Sequence, residues 1–113
     1  MSLWDAKKEP QDEALQGRTL ASYFTELKRN GTLLGAAGKI MSAQDCRDLL
    51  AAGFDFPVLG RAAILRHDYP RRVVADPGYQ SPALPVTAEH LRAEGLGPAF
   101  LDYMRSWKGF VAD

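Results

Sequence analysis

Cysteine is almost missing from this chain of 113 residues: Cys46 stands alone. A single thiol excludes an internal disulfide and any multi-cysteine metal cluster. An excess of charge is missing too, because Lys plus Arg and Asp plus Glu number 14 each. There is therefore no net electrostatic footprint for nucleic acid or an anionic membrane surface. No apolar run approaches the roughly 18 residues of a membrane span. The stretch Met1–Lys8 carries no apolar signal region. The two histidines, His67 and His90, lack partners at metal-ligand or triad spacing and read as surface residues, so no metal site is expected. The expectation is a cytoplasmic protein with neither nucleic-acid nor membrane partners.

Apolar residues are not scarce. At 46% they argue against wholesale disorder. Two short apolar runs each lead into a glycine turn. One is Leu33-Leu34-Gly35-Ala36-Ala37-Gly38-Lys39-Ile40 and the other is Pro57-Val58-Leu59-Gly60-Arg61. The pattern reads as strand, turn, helix, strand, turn, helix, and it predicts two parallel strands at Thr32–Ala37 and Phe56–Gly60. Both runs are short and uniformly apolar, as in strands buried on both faces. Pro57 removes one ladder donor from the second.

Between the strands, Ser42 is the N-cap and Asp45 holds the capping-box position of a helix over Ser42–Ala52. Cys46, Leu49 and Leu50 form its apolar stripe and Gly53 ends it. Upstream, Asp5–Gln16 reads as a loop. Leu20, Tyr23, Phe24 and Leu27 share one helix face, and Asn30-Gly31 stops that helix. Ala62–Leu65 reads as a helical turn. After Pro70 the segment Arg71–Pro85, with Pro77, Gly78, Pro82 and Pro85, reads as meandering. Thr87 caps a short helix, and Gly97-Pro98 opens a last one whose Phe100, Leu101, Met104 and Trp107 share a side. The aromatic tail after Trp107 needs a surface to dock on. Residues 1–70 and 71–113 are thus expected as a βα segment and a helical extension.

These pieces together resemble the C-terminal part of the old yellow enzyme family, the FMN-dependent NADH:flavin oxidoreductases and ene reductases. Ser2-Leu3-Trp4-Asp5 resembles the close of barrel strand six. Gly35-Ala36-Ala37-Gly38-Lys39-Ile40 resembles the strand-seven phosphate turn. Gly53-Phe54-Asp55-Phe56 with Val58-Leu59-Gly60-Arg61-Ala62 is similar to the strand-eight signature. Pro85–Leu91 and Tyr103–Val111 resemble the tail of one bacterial branch. The resemblance implies an α/β fold, the last βα units of a TIM (β/α)8 barrel. It implies FMN as cofactor, NAD(P)H as its reductant, and Gly38, Lys39, Gly60 and Arg61 as cofactor-binding residues at the flavin phosphate. Lys39 stands where a second glycine is common. The family's substrate-binding pair, its tyrosine proton donor and most ring contacts lie ahead of strand six, so no residue here inherits a catalytic role.

Taken from the residues alone, Gly38 and Gly60 are equally ordinary tight turns. Arg61 is either a surface cation or a two-pronged phosphate ligand. The side chain of Lys39 reads as solvated, and Cys46 as a structural thiol. Tyr69, Tyr79 and Tyr103 read as packing residues, while Trp4 and Trp107 read as core or interface anchors. Three functional readings stand. The chain is the C-terminal fragment of a flavin enzyme, carrying the phosphate end of the site and inactive alone. It is a stand-alone oligomeric anion-binding or interaction module. Or it is one half of a split barrel. Its expected partners are a second copy or the missing N-terminal barrel portion.

Overall fold

The computed structural model describes residues 1–113. A 3-10 helix (Glu13–Leu15) is followed by α1 (Leu20–Thr25), β1 (Gly35–Ala36), α2 (Ala43–Ala51), β2 (Phe56–Pro57), α3 (Arg61–Leu65), α4 (Tyr69–Ala75), α5 (Ala88–Ala93) and α6 (Pro98–Arg105). The fold is mixed α/β, and β1 and β2 are parallel, with Gly35 opposite Phe56 and Ala36 opposite Pro57. The N-terminus adds a third, minimal parallel pairing on the other side of β1. There the Ala37 N–H donates to the Met1 carbonyl and the Leu3 N–H to the Ala37 carbonyl.

The regular strands are shorter than the apolar runs. Ladder pairing survives at only two residues per strand, because Leu34 turns its N–H to the Asp55 carboxylate instead of a backbone carbonyl. The expectation of strands buried on both faces fails for β2: Phe56 and Val58 are exposed, as is Leu33 ahead of β1. Only the Gly35-Ala36 pair is buried. Pro57 is tolerated for a plain reason. Val58 directs its N–H to Ala36, so the neighbouring position 57 faces the sheet edge that has no third strand.

α2 forms as its cap dictates. Ser42 Oγ accepts from the Asp45 N–H, and the Asp45 carboxylate accepts from the N–H groups of Ser42 and Met41. Its stripe is narrower than the spacing implied: Leu49 is buried, Cys46 half-buried and Leu50 exposed. α1 likewise turns Ala21 inward and leaves Phe24 exposed, and it ends before Leu27. The meandering segment is partly helical. Pro70 occupies the first turn of α4, where its missing N–H costs nothing, so the proline begins a helix instead of preventing one. The chain run read as a loop over Asp5–Gln16 contains the short 3-10 turn, capped by Asp12.

Two apolar clusters hold the chain. One joins Leu3, Ala21, Ala36, Ile40, Leu49 and Phe54 beneath the strands. The other joins Leu65, Val86, Ala88, Leu91, Leu101, Met104 and Phe110. The aromatic tail docks on this second cluster, with Phe110 buried and Val111 bridged to Val86. No helix is long and apolar enough to cross a membrane.

Candidate functional site

The carboxyl ends of Met1–Leu3, β1 and β2 open on the same side, as parallel strands require. Ends of this kind are where open and closed α/β sheets place their ligands. A cleft of about 280 Å³ lies there, and its lining includes Gly38, Lys39, Gly60 and Arg61. The four residues singled out from the sequence therefore meet at one place, although 22 positions separate the two glycines. Trp4, Met41, Ile64, Tyr103 and Trp107 complete much of the wall.

The two glycines have different grounds. Gly38 has φ +154°, and a Cβ there would lie 2.8 Å from the Ala6 nitrogen. The close pass of the Asp5-Ala6 backbone is enough to require glycine. Gly60 has φ −118°, and a Cβ there meets nothing within 4 Å. The protein's own atoms leave that space free. Lys39 sits at φ +51°, the left-handed region that costs an L-residue roughly 1–2 kcal/mol. This is the position where the resemblance leads one to expect glycine, and the backbone keeps the glycine-type conformation. Its side chain is not simply solvated: the ammonium pairs with Asp5 at 3.2 Å.

Five donor groups of the cleft are unspent. The N–H groups of Gly38, Lys39, Gly60 and Arg61 donate to no carbonyl or side chain of the protein. The Arg61 guanidinium makes no ion pair or hydrogen bond. Its nearest charge-sensitive neighbour is the Trp4 ring, with Cζ 5.8 Å from the ring centroid. By contrast, the start of α2 is closed to an outside anion, because Asp45 already accepts from the Met41 and Ser42 N–H groups. Burial pushes the Asp45 carboxyl up, but these N–H groups, Ser42 and Lys7 outweigh it and hold the pKa below the ordinary value.

A second cleft of about 300 Å³ lies across the Gly38–Lys39 turn. Its charged groups satisfy one another. Lys7 bridges Asp45 and Asp48 at 3.3 and 2.8 Å, and Asp5 holds Lys39. Asp5 is kept below the usual carboxylate range first by the Lys7 N–H and then by the Lys39 ammonium. With three carboxylates against two ammonium groups, it offers an anion no free partner.

Elsewhere, the histidines have partners that the sequence spacing hid. His67 Nδ1 lies 2.7 Å from Glu94, and His90 Nε2 lies 2.8 Å from the Leu65 carbonyl. Both contacts cross more than twenty residues, so no local motif announces them. His67, Asp68 and Glu94 come within 4.8 Å of one another. However, Arg66 also pairs with Glu94 at 2.7 Å, and a cation there would compete with it. Cys46 Sγ lies 3.4 Å from the Tyr69 hydroxyl, which donates to the Ser42 carbonyl. Burial first, and then Cys46, push the Tyr69 pKa up, so that phenol is a packing group with a fixed hydrogen bond. The aromatic wall of the cleft, Trp4 against Trp107, was not legible as a site feature, because the two lie at opposite ends of the chain.

Comparison of the chain with protein-family models, with curated proteins and with solved structures gives no match in any of the three.

Proposed function

We propose that the cleft at the ends of β1 and β2 binds the phosphate of a phosphorylated cofactor, and that this cofactor is FMN. The observation that carries the reading is the set of unspent donors: four backbone N–H groups and one unpaired guanidinium around a single cleft. A phosphate dianion needs several donors and a positive partner, and Arg61 can engage two of its oxygens at once. The open space at Gly60 admits the close approach of an oxygen to the backbone. The successive parallel pairing of residues 1–3, β1 and β2 supports a barrel-type arrangement of the last strands. FMN itself comes from the resemblance to the flavin oxidoreductases.

FMN, when bound, accepts hydride from NAD(P)H and passes it to an activated C=C bond. The residues of this chain hold the phosphate and orient the cofactor. None of them is assigned to proton transfer or substrate binding, so the chain alone is expected to be inactive toward NADH. The measurement that tests the phosphate reading compares FMN with riboflavin, which has the same ring and no phosphate. The amide resonances of Gly38, Lys39, Gly60 and Arg61 should shift with FMN and with inorganic phosphate, and stay in place with riboflavin. Equal shifts with riboflavin would remove the phosphate from the reading.

A specific observation favours association as the accompanying behaviour. The outer edge of β2 is unpaired and Phe56, Val58 and Leu33 are exposed. A second copy or a further barrel portion would cover them, which suits either a stand-alone oligomeric module or a split barrel.

A further inference from the structure

Asn30 is the only asparagine in the chain, and a glycine follows it. Both residues are left-handed, Asn30 at φ +51° and Gly31 at φ +85°. The Thr32 N–H closes the bend on the Arg29 carbonyl at 2.9 Å. Two successive left-handed residues closed in this way have the pattern of a type I′ turn, which asparagine followed by glycine adopts at least cost. The reactive groups of the pair are free. The Asn30 side chain is exposed and makes no hydrogen bond. The bonds on either side pass it by: Arg29 donates to Asp55 and to the Gly53 carbonyl, and Leu34 donates to Asp55. The Gly31 N–H likewise donates to no protein acceptor. A Cβ at Gly31 would meet nothing within 4 Å, so no neighbouring atom packs over that side of the turn.

We infer that Asn30 is a self-modification site, where the folded chain converts this amide to aspartate and isoaspartate without an enzyme. The Gly31 backbone nitrogen attacks the Asn30 Cγ and gives up its proton. The new N–Cγ bond closes a five-membered succinimide, the Cγ–Nδ2 bond breaks, and Nδ2 leaves as ammonia with that proton. Water then opens the ring. Cleavage at Cγ gives aspartate, and cleavage at the main-chain carbonyl gives isoaspartate, which carries the backbone through the side-chain carbon. Water is the only co-reactant, and nothing is oxidised or reduced. Ring closure requires rotation about the Asn30 main-chain bond to its carbonyl. Glycine permits that rotation because it has no Cβ to crowd the ring, and a single backbone hydrogen bond, Thr32 to Arg29, is what the rotation must break. Conversion moves the net charge from zero to one negative and places a carboxylate next to Arg29, whose guanidinium holds Asp55 at 2.8 Å. This chemistry is independent of the cleft at the strand ends.

The test incubates the full chain at mildly alkaline pH and physiological temperature, once folded and once unfolded in urea, and follows the tryptic peptide Asn30–Lys39 by mass spectrometry. The folded chain should accumulate the acid form of this peptide, and an isoaspartyl methyltransferase should label most of it. Its rate should lie within about tenfold of the rate in urea, because one backbone hydrogen bond is all that the turn sets against opening. Ammonia release should match the acid formed. Asn30→Gln, whose longer side chain cannot close the five-membered ring, should leave the peptide unchanged and remove the ammonia. An unchanged peptide in the folded chain, alongside conversion in urea, would show that the turn protects Asn30 and would overturn the inference. So would the absence of conversion in both states, or ammonia release undiminished in Asn30→Gln.

Discussion

The Phe56 ring lies directly over the backbone of Gly35, so closely that a Cβ at position 35 would stand 2.2 Å from the ring edge. These two residues are opposite each other across the parallel ladder. The absence of a side chain on one strand is filled by the aromatic of the next.

That contact can be measured as a coupling. Gly35→Ala forces the ring aside and should destabilise the chain by about 1–3 kcal/mol, the usual cost of overpacking. In a Phe56→Ala background the same substitution should cost less by about 1 kcal/mol, a coupling typical of touching residues. Urea denaturation of the two single variants and the double variant closes the cycle. Strict additivity would mean that ring and backbone do not meet.

Lys39→Gly should stabilise the fold. Relief of the left-handed conformation is worth roughly 1–2 kcal/mol. The greater freedom of glycine in the unfolded chain offsets about 0.5–1 kcal/mol of that, and the exposed pair with Asp5 contributes little. A net gain of several tenths of a kcal/mol should appear as a raised urea midpoint. Lys39→Ala, which keeps the strained φ and loses the ion pair, should show no gain.

Acid should weaken the chain through Glu94. Its side chain is only 7% exposed. Burial pushes its pKa up, but the His67 N–H, the His67 ring and the Arg66 guanidinium together outweigh burial and hold it below its ordinary value of 4.5. A carboxyl with a depressed folded pKa contributes stability that is complete above the ordinary value and is lost as pH falls through the lowered one. Glu94→Gln should therefore be less stable than the parent at neutral pH, and its stability should fall less steeply below about pH 4.5. Parallel acid limbs for the two proteins would contradict this.

Self-association is expected. The radius of gyration is 16.0 Å, against about 13 Å for a compact chain of this length. Leu27 and Leu33 are exposed at 60% and 69%, and the outer edge of β2 is unpaired. Light scattering should report a dimer or larger species. A clean monomer at high concentration would show that the open edge is tolerated.

Helix starts were the most legible part of the sequence, because a cap is local chemistry. Ser42 with Asp45, Thr87, and Gly97 with Pro98 each begin the helix that their residue types imply. The two parallel strands were legible in position but not in extent. Apolar runs show where a strand wants to be, and pairing partners decide how far it goes. The helix over Tyr69–Ala75 was not legible, because Pro77, Gly78, Pro82 and Pro85 dominate the segment after Pro70 and mask the helix start that a proline in the first turn favours. At the site, the gathering of Gly38, Lys39, Gly60 and Arg61 followed from the strand–turn repeat. The left-handed backbone at Lys39 was hinted at only by the glycine common at that position, and the stacking of Trp4 on Trp107 was not legible, because it depends on chain ends brought together only by folding.

The proposed phosphate site rests on Arg61 and on the space at Gly60, and calorimetric titration of inorganic phosphate into three proteins tests it most directly. The parent should bind. Arg61→Ala should lose roughly 1.5–3 kcal/mol of binding, the worth of a charge-assisted hydrogen bond, or about 10- to 150-fold in affinity. Gly60→Ala, whose Cβ meets no protein atom within 4 Å, should weaken binding by occupying the space an oxygen needs. Identical affinity in all three, or no binding by the parent, would contradict a phosphate site in this cleft.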